Sequence, residues 1–165
     1  WKEIETHDPN ARLGMLQREI ELRRRRPTEA QIERAKKIAA LKDEAEIAKL
    51  PRLAEPYARR TLSLAGGPES LSIPLQTLRI GDLAVCAIPF ETLVEIGLDL
   101  KKRSPFPRTV VLGVTNGDNG YLPTPEQHEL GGYETWLGTC KVQKDASVII
   151  TDQLLEMLGE LAKEK

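Results

Sequence analysis

Leu71 to Ile88 constrain the fold more than any other stretch of this chain. Leu71-Ser72-Ile73-Pro74-Leu75-Gln76-Thr77-Leu78-Arg79-Ile80 reads as a half-buried strand. Gly81-Asp82 supplies a two-residue turn, and Leu83-Ala84-Val85-Cys86-Ala87-Ile88 returns as an apolar run. The pattern predicts a β-hairpin, with Pro74 at an edge or a bulge because it has no N–H to give a neighbouring strand. Pro89-Phe90-Glu91 then leads into a helix with Leu93, Ile96 and Leu100 on one face and Lys101-Lys102-Arg103 in its last turn, where the helix dipole favours cations. The continuous run Thr109–Val114 predicts a buried strand. Asp145 caps a final helix whose apolar face is Ile150, Leu154, Leu158 and Leu161. Strand, helix and strand in that order predict an α/β fold, a mixed β-sheet flanked by helices.

The preceding residues have a different texture, and from about residue 8 to 65 they predict charged helices. Asp8-Pro9 is a helix start, followed by Leu13, Leu16 and Ile20 at helical spacing. Pro27 breaks the pattern. Thr28 with Gln31 forms a capping box for a second helix with the stripe Ile38, Leu41, Ala45 and Ala48 and a Glu33–Lys37 pair. A third, short helix spans Tyr57 to Leu64 and stops at Gly66-Gly67-Pro68. The expected organisation is therefore a helical segment over 1–68 and an α/β part over 69–165, both in one domain.

Composition excludes several classes. At 165 residues the chain fits one domain or a large piece of one. Its 24 Lys+Arg balance 25 Asp+Glu, so no global charge draws it to nucleic acid. Arg23-Arg24-Arg25-Arg26 has no interleaved aromatics and reads as the solvated C-terminal end of the first helix. No apolar run reaches the roughly 18–20 residues that cross a bilayer. Cys86 and Cys140 can form at most one bridge. Cys86 reads as a small core residue; Cys140 has Lys141 beside it, a neighbour that lowers a thiol pKa, but without a His/Asn constellation a nucleophilic role is not expected. His7 and His128 form no paired-imidazole motif.

The strongest constellation runs from Pro89 to Glu134. It opens with Glu91, placed where a strand ends and a helix begins, the end of open α/β sheets at which ligands bind. Thr115-Asn116-Gly117-Asp118-Asn119-Gly120-Tyr121 follows the third strand, and its Gly, Asn and Asp allow positive φ and set Tyr121 on a defined turn. Leu130-Gly131-Gly132-Tyr133-Glu134 places a second tyrosine after a glycine pair.

In order and register, Leu75 to Asp82, Pro89-x-Glu91, Asn116-x-x-x-Gly120-Tyr121-x-Pro123-Thr124 and Gly132-Tyr133-Glu134 resemble the C-terminal part of the catalytic domain of the neutral/alkaline, non-lysosomal ceramidases. The resemblance covers roughly residues 70–160. It implies a zinc amidase that hydrolyses the N-acyl bond of ceramide to a fatty acid and sphingosine. Glu91 and Tyr121 would be two zinc ligands, and Tyr133 the catalytic phenol that contacts the reacting amide. Two histidine ligands would come from an upstream part of the same catalytic domain. On this reading the chain is a fragment of a larger protein and catalytically incomplete, which also accounts for a sequence beginning at Trp1 without an initiator Met. His128 stands where the family often has an aromatic residue.

The implied partners are a lipid amide substrate, the N-terminal part of the same domain and, peripherally, a membrane surface. Nucleic acid is not among them. The implied location is secreted, periplasmic or at the cell surface. Two alternatives stand beside this reading: a relative that is inactive or cleaves another amide, and a non-enzymatic module that binds partners through helices 8–65.

Overall fold

The computed structural model describes residues 9–163, so Trp1, His7 and the Asp8 cap lie outside the described residues. Four strands form the main sheet. They are β1 (Leu13–Arg23), β2 (Ser70–Ile80), β3 (Leu83–Ala87) and β5 (Arg108–Leu112), in that spatial order. β1 and β2 pair antiparallel, β2 and β3 form the expected hairpin, and β3 lies parallel to β5. A parallel neighbour needs a crossover, and α4 (Val94–Arg103) supplies it. The sheet is mixed and flanked by helices, as the sequence predicts.

The first predicted helix is instead β1. Leu16 and Ile20 are four residues apart, a spacing that satisfies a period of 3.6 and a period of 2 equally. Leu22 decides between them. Leu16, Ile20 and Leu22 turn inward, while Gln17, Glu19 and Glu21 stay exposed. Leu13, whose three-residue spacing to Leu16 suggested a helix, is 74% exposed. Pro74 faces Glu19 of β1, and on its other side no strand reaches it, since β3 ends opposite Gln76. The missing N–H thus costs no ladder bond.

Three helices lie between β1 and β2. α1 (Glu29–Ala39) begins with the predicted capping box, Thr28 Oγ1 accepting from Gln31 N and Gln31 Oε1 from Thr28 N. It ends before Leu41, because Asp43 caps a separate short helix, α2 (Glu44–Ala48), through Ala45 N at 2.8 Å. Glu33 pairs with Lys36 at 2.7 Å rather than with Lys37. α3 (Ala54–Gly66) starts earlier than predicted, since Pro56 sits in its first turn, where an N–H has no helical partner. Ala35 and Ala58 are the small buried residues of the packed pair α1 and α3.

Beyond the sheet, β4 (Glu91–Thr92) pairs with β6 (Tyr121–Leu122), followed by α5 (Pro125–Leu130), a single 3₁₀ turn (Tyr133–Thr135) and α6 (Ala146–Lys163). α6 covers one face of the sheet. Ile150, Leu154, Met157, Leu158 and Leu161 pack on Leu22, Ile73, Leu75, Ala84 and Cys86. Arg18 of β1 ties the layer through Glu160 at 2.8 Å and Glu156 at 3.3 Å, and Arg79 Nη1 donates to the Leu161 carbonyl at 2.8 Å.

β5 is not the buried strand its apolar run predicts. It is an edge strand, with Thr109 turned inward and Val110 and Leu112 exposed. On the face away from α6, Met15, Leu78, Val85 and Val110 stand in register across all four strands as one apolar row.

The arginine block is not a solvated helix end. It closes β1 and grips backbone carbonyls. Arg25 Nη1 donates to Thr135 O at 2.6 Å and Cys140 O at 3.3 Å. Arg26 Nη1 donates to Leu64 O, Ala65 O and Gly67 O at 2.8, 3.2 and 3.0 Å, filling the open carbonyls at the end of α3. Among the described residues no helix is long and apolar enough to cross a membrane.

Candidate active site

Glu91 and Tyr121, 30 residues apart in sequence, are direct partners in the β4–β6 pair. The backbone forces them together. Glu91 N donates to Gly120 O at 3.0 Å, and Asn119 donates twice to Pro89 O, from its backbone at 2.9 Å and its side-chain amide at 3.0 Å. Asp118 Oδ1 accepts from Gly120 N at 2.9 Å, closing the turn. Gly120 has φ +86°, and a Cβ there would stand 2.4 Å from Thr139 O, the oxygen that accepts from Tyr121 N at 3.1 Å. Only glycine fits. Val114, at the end of β5 beside this turn, has φ +51°, which for a β-branched residue is genuine backbone strain.

As backbone partners, Glu91 and Tyr121 bring a carboxylate and a phenol into electrostatic reach of each other. The Glu91 carboxylate, with partial burial, raises the phenol above its ordinary pKa. Tyr133, 40% exposed, meets Tyr121 edge to face at 5.9 Å. It is carried on the 3₁₀ turn after Gly131 and Gly132, both at positive φ, and Thr135 closes the turn through Gly132 O at 2.8 Å. The three sequence-predicted residues therefore converge on one spot.

The aromatic contact continues past them. Trp136 meets Tyr133 at 5.6 Å and Tyr57 of α3 at 5.5 Å, and the Tyr57 hydroxyl bonds Thr139 Oγ1. All three tyrosines of the chain join Trp136 in one cluster. Tyr57 and Trp136 belong to no motif, and the one sequence signal for Trp136 is its place three residues after Tyr133 in a chain with 4% aromatic residues. Tyr57 and Trp136 also border an apolar groove of about 680 Å³ between α1 and α3, lined by Ala35, Ile38, Leu53 and Ala58.

Cys140 is no nucleophile, as expected, and its adjacency to Lys141 does not lower its thiol pKa. It is 1% exposed, and burial pushes its thiol pKa up despite nearby Arg25. His128 Nε2 lies 3.9 Å from its sulfur, and burial lowers the imidazole pKa. A protonated thiol closed off from solvent is no nucleophile. Cys86 is likewise buried, and both cysteines are free.

Among the described residues no group of three or more His, Cys, Asp and Glu is placed to hold a metal ion. Glu91 and Tyr121, backbone partners in the β4–β6 pair, offer a carboxylate and a phenol oxygen, and carboxylate oxygen is a common zinc donor. They fit part of a zinc site, and further ligands would have to come from elsewhere.

No protein-family model and no curated protein matches this chain. Solved structures do. A ceramidase complexed with C2 aligns with TM-score 0.51 at 22% identity, over 58% of this chain and 15% of that one. Neutral ceramidase from Pseudomonas aeruginosa aligns with TM-score 0.48 at 23% identity, over 57% and 15%. This chain thus spans about 15% of the length of either. At this level of identity the first alignment speaks for the fold alone. Over 58% of its length, the chain carries a partial ceramidase-like fold.

Proposed function

We propose that this chain supplies the carboxylate and phenol side of a zinc-dependent lipid amidase, acting on the N-acyl bond of a ceramide-like substrate. The observation that carries the reading is the pairing of Glu91 with Tyr121, with Tyr133 against it. Zinc bound by these two oxygens and by histidines from the N-terminal part of the same catalytic domain would polarise the amide carbonyl and activate water. The β4–β6 backbone pairing holds the Glu91 carboxylate beside the Tyr121 phenol. Tyr133, whose hydroxyl has no hydrogen-bond partner among the described residues, donates to the amide oxygen as negative charge develops there. The Tyr57–Trp136 contact leads from these groups to the apolar groove, which suits a hydrocarbon tail. The bare apolar row on the sheet's outer face supports a further layer of the same domain packing there.

The test is hydrolysis of N-acylsphingosine by the protein joined to its upstream histidines. Glu91→Gln and Tyr121→Phe each lower kcat/KM about a hundredfold or more and reduce bound zinc, with the circular dichroism spectrum unchanged. Tyr133→Phe lowers kcat while zinc stays, by about a hundredfold, the effect of losing one oxyanion donor. Residues 1–165 alone bind zinc weakly. Wild-type activity and zinc content in both ligand variants would overturn the proposal.

A further inference from the structure

On the far side of α3 from the apolar groove lies a smaller pocket of about 290 Å³, lined by Arg24, Arg59, Arg60, Ser63, Leu64, Gly138 and Lys141. Four of its lining residues are cations and none is an acid, in a chain whose net charge is −1. Among the described residues one of the four is paired with an acid, Arg59 with Glu55 at 2.5 Å. Arg60 lies over the Tyr57 ring at 5.0 Å, which orients its guanidinium without compensating the charge. The Arg24 Nε is buried with no partner, and its Nη1 makes a long contact of 3.4 Å to Pro68 O. Lys141 has no ion pair among the described residues.

The backbone holds these charges close together. Gly138 has φ +90°, and a Cβ there would stand 2.9 Å from Arg60 Cβ. A Cβ on Gly67 would stand 1.8 Å from Arg24 Nη1. Gly138 thus lets the Arg60 stem approach, whereas at Gly67 the contact is only with the movable end of Arg24. Folding gathers like charges here at an electrostatic cost, and among the described residues Glu55 alone offsets it with an ion pair.

We infer that this pocket binds a tetrahedral oxyanion of the phosphate class. Guanidinium forks match the oxygens of such a group in pairs, Lys141 adds a point charge and Ser63 a neutral donor. The volume lies below the range of drug-sized ligand sites, which suits a phosphate or phosphomonoester rather than a larger molecule. The pocket's other wall is the 138–141 segment, whose Thr139 carbonyl holds Tyr121 N, so an occupying anion braces the strand behind the candidate active site. The inference depends on charge and shape alone and is independent of amide hydrolysis.

The experiment uses the full chain and inorganic phosphate, titrated at constant ionic strength against chloride, with thermal unfolding as the readout. Vesicles of phosphatidylcholine, alone or doped with phosphatidic acid, distinguish a lipid headgroup from a free anion. Two outcomes support the inference. In one, phosphate raises the melting temperature and Lys141→Gln weakens binding about tenfold, the loss of one charge-assisted hydrogen bond. In the other, the chain cosediments only with doped vesicles and Lys141→Gln abolishes this. Arg59→Gln provides a second variant on an exposed helix face and weakens either response in the same direction. The inference is overturned if neither phosphate nor doped vesicles give a response above the chloride and phosphatidylcholine controls. It is equally overturned if both variants respond as wild type.

Discussion

Replacing Arg25 with Met separates the two physical readings of the arginine block. The substitution keeps an unbranched apolar stem and deletes the guanidinium. It removes the 2.6 Å bond to Thr135 O, a charge-assisted bond worth about 2 kcal/mol, and the 3.3 Å bond to Cys140 O, worth about 1 kcal/mol. Thr135 is buried, so its carbonyl is left without a donor. The sum is about 3 kcal/mol, and at about 2–4 °C per kcal/mol for a chain of this size it lowers the melting temperature by about 6–12 °C. Urea unfolding followed by circular dichroism checks this through a lower midpoint at unchanged m. Arg25→Lys, with one charge and no fork, falls between the two. Trp136 fluorescence shifts as well, because the turn anchored at Thr135 carries Tyr133 and Trp136. A change under about 0.5 kcal/mol in Arg25→Met is what a solvated surface charge gives, and it would refute the clamp.

Gly120→Ala places a methyl against Thr139 O and strains a positive φ. It destabilises the chain by about 1–3 kcal/mol and breaks the Tyr121 turn, read as loss of the Tyr121–Glu91 pairing in amide exchange. Burial pushes the Cys86 thiol up to about 12, against about 8.5 when unfolded. The fold therefore favours the protonated form. This contribution is complete below about pH 8.5 and is lost as pH rises toward 12. The stability of wild type relative to Cys86→Ala should then fall by about 1.4 kcal/mol per pH unit in that window, measured by urea midpoints. Equal slopes for the two proteins would contradict the assignment.

The hairpin and the last helix were legible because each carries one unambiguous signal. Gly81-Asp82 separates two apolar runs, and Ile150, Leu154, Leu158 and Leu161 fit only a helical period, all four being buried. β1 was misread because four-residue spacings suit both regular structures, and the partner that settles the matter, β2, starts 47 residues after Arg23 ends it. The β5 run looked buried because composition reports apolarity but not position in a sheet, and an edge strand leaves one side uncovered. Glu91, Tyr121 and Tyr133 were found through resemblance and glycine turns. Trp136 and Tyr57 belong to the same cluster but sit on no such turn, and only tertiary packing brings α3 to them.

Arg24 N donates to Glu69 O at 2.8 Å, where β1 ends and β2 is about to begin. By connectivity, the entire α1–α3 excursion is the loop of one long hairpin. Closure entropy grows by only about 0.6 kcal/mol for each doubling of loop length, so the hairpin carries so large an insert at little expense to the sheet. The helices are a detachable module. A short turn in their place would remove the apolar groove, the α3 wall of the cationic pocket and Trp136's neighbour Tyr57 without interrupting either strand of the framework beneath Glu91 and Tyr121.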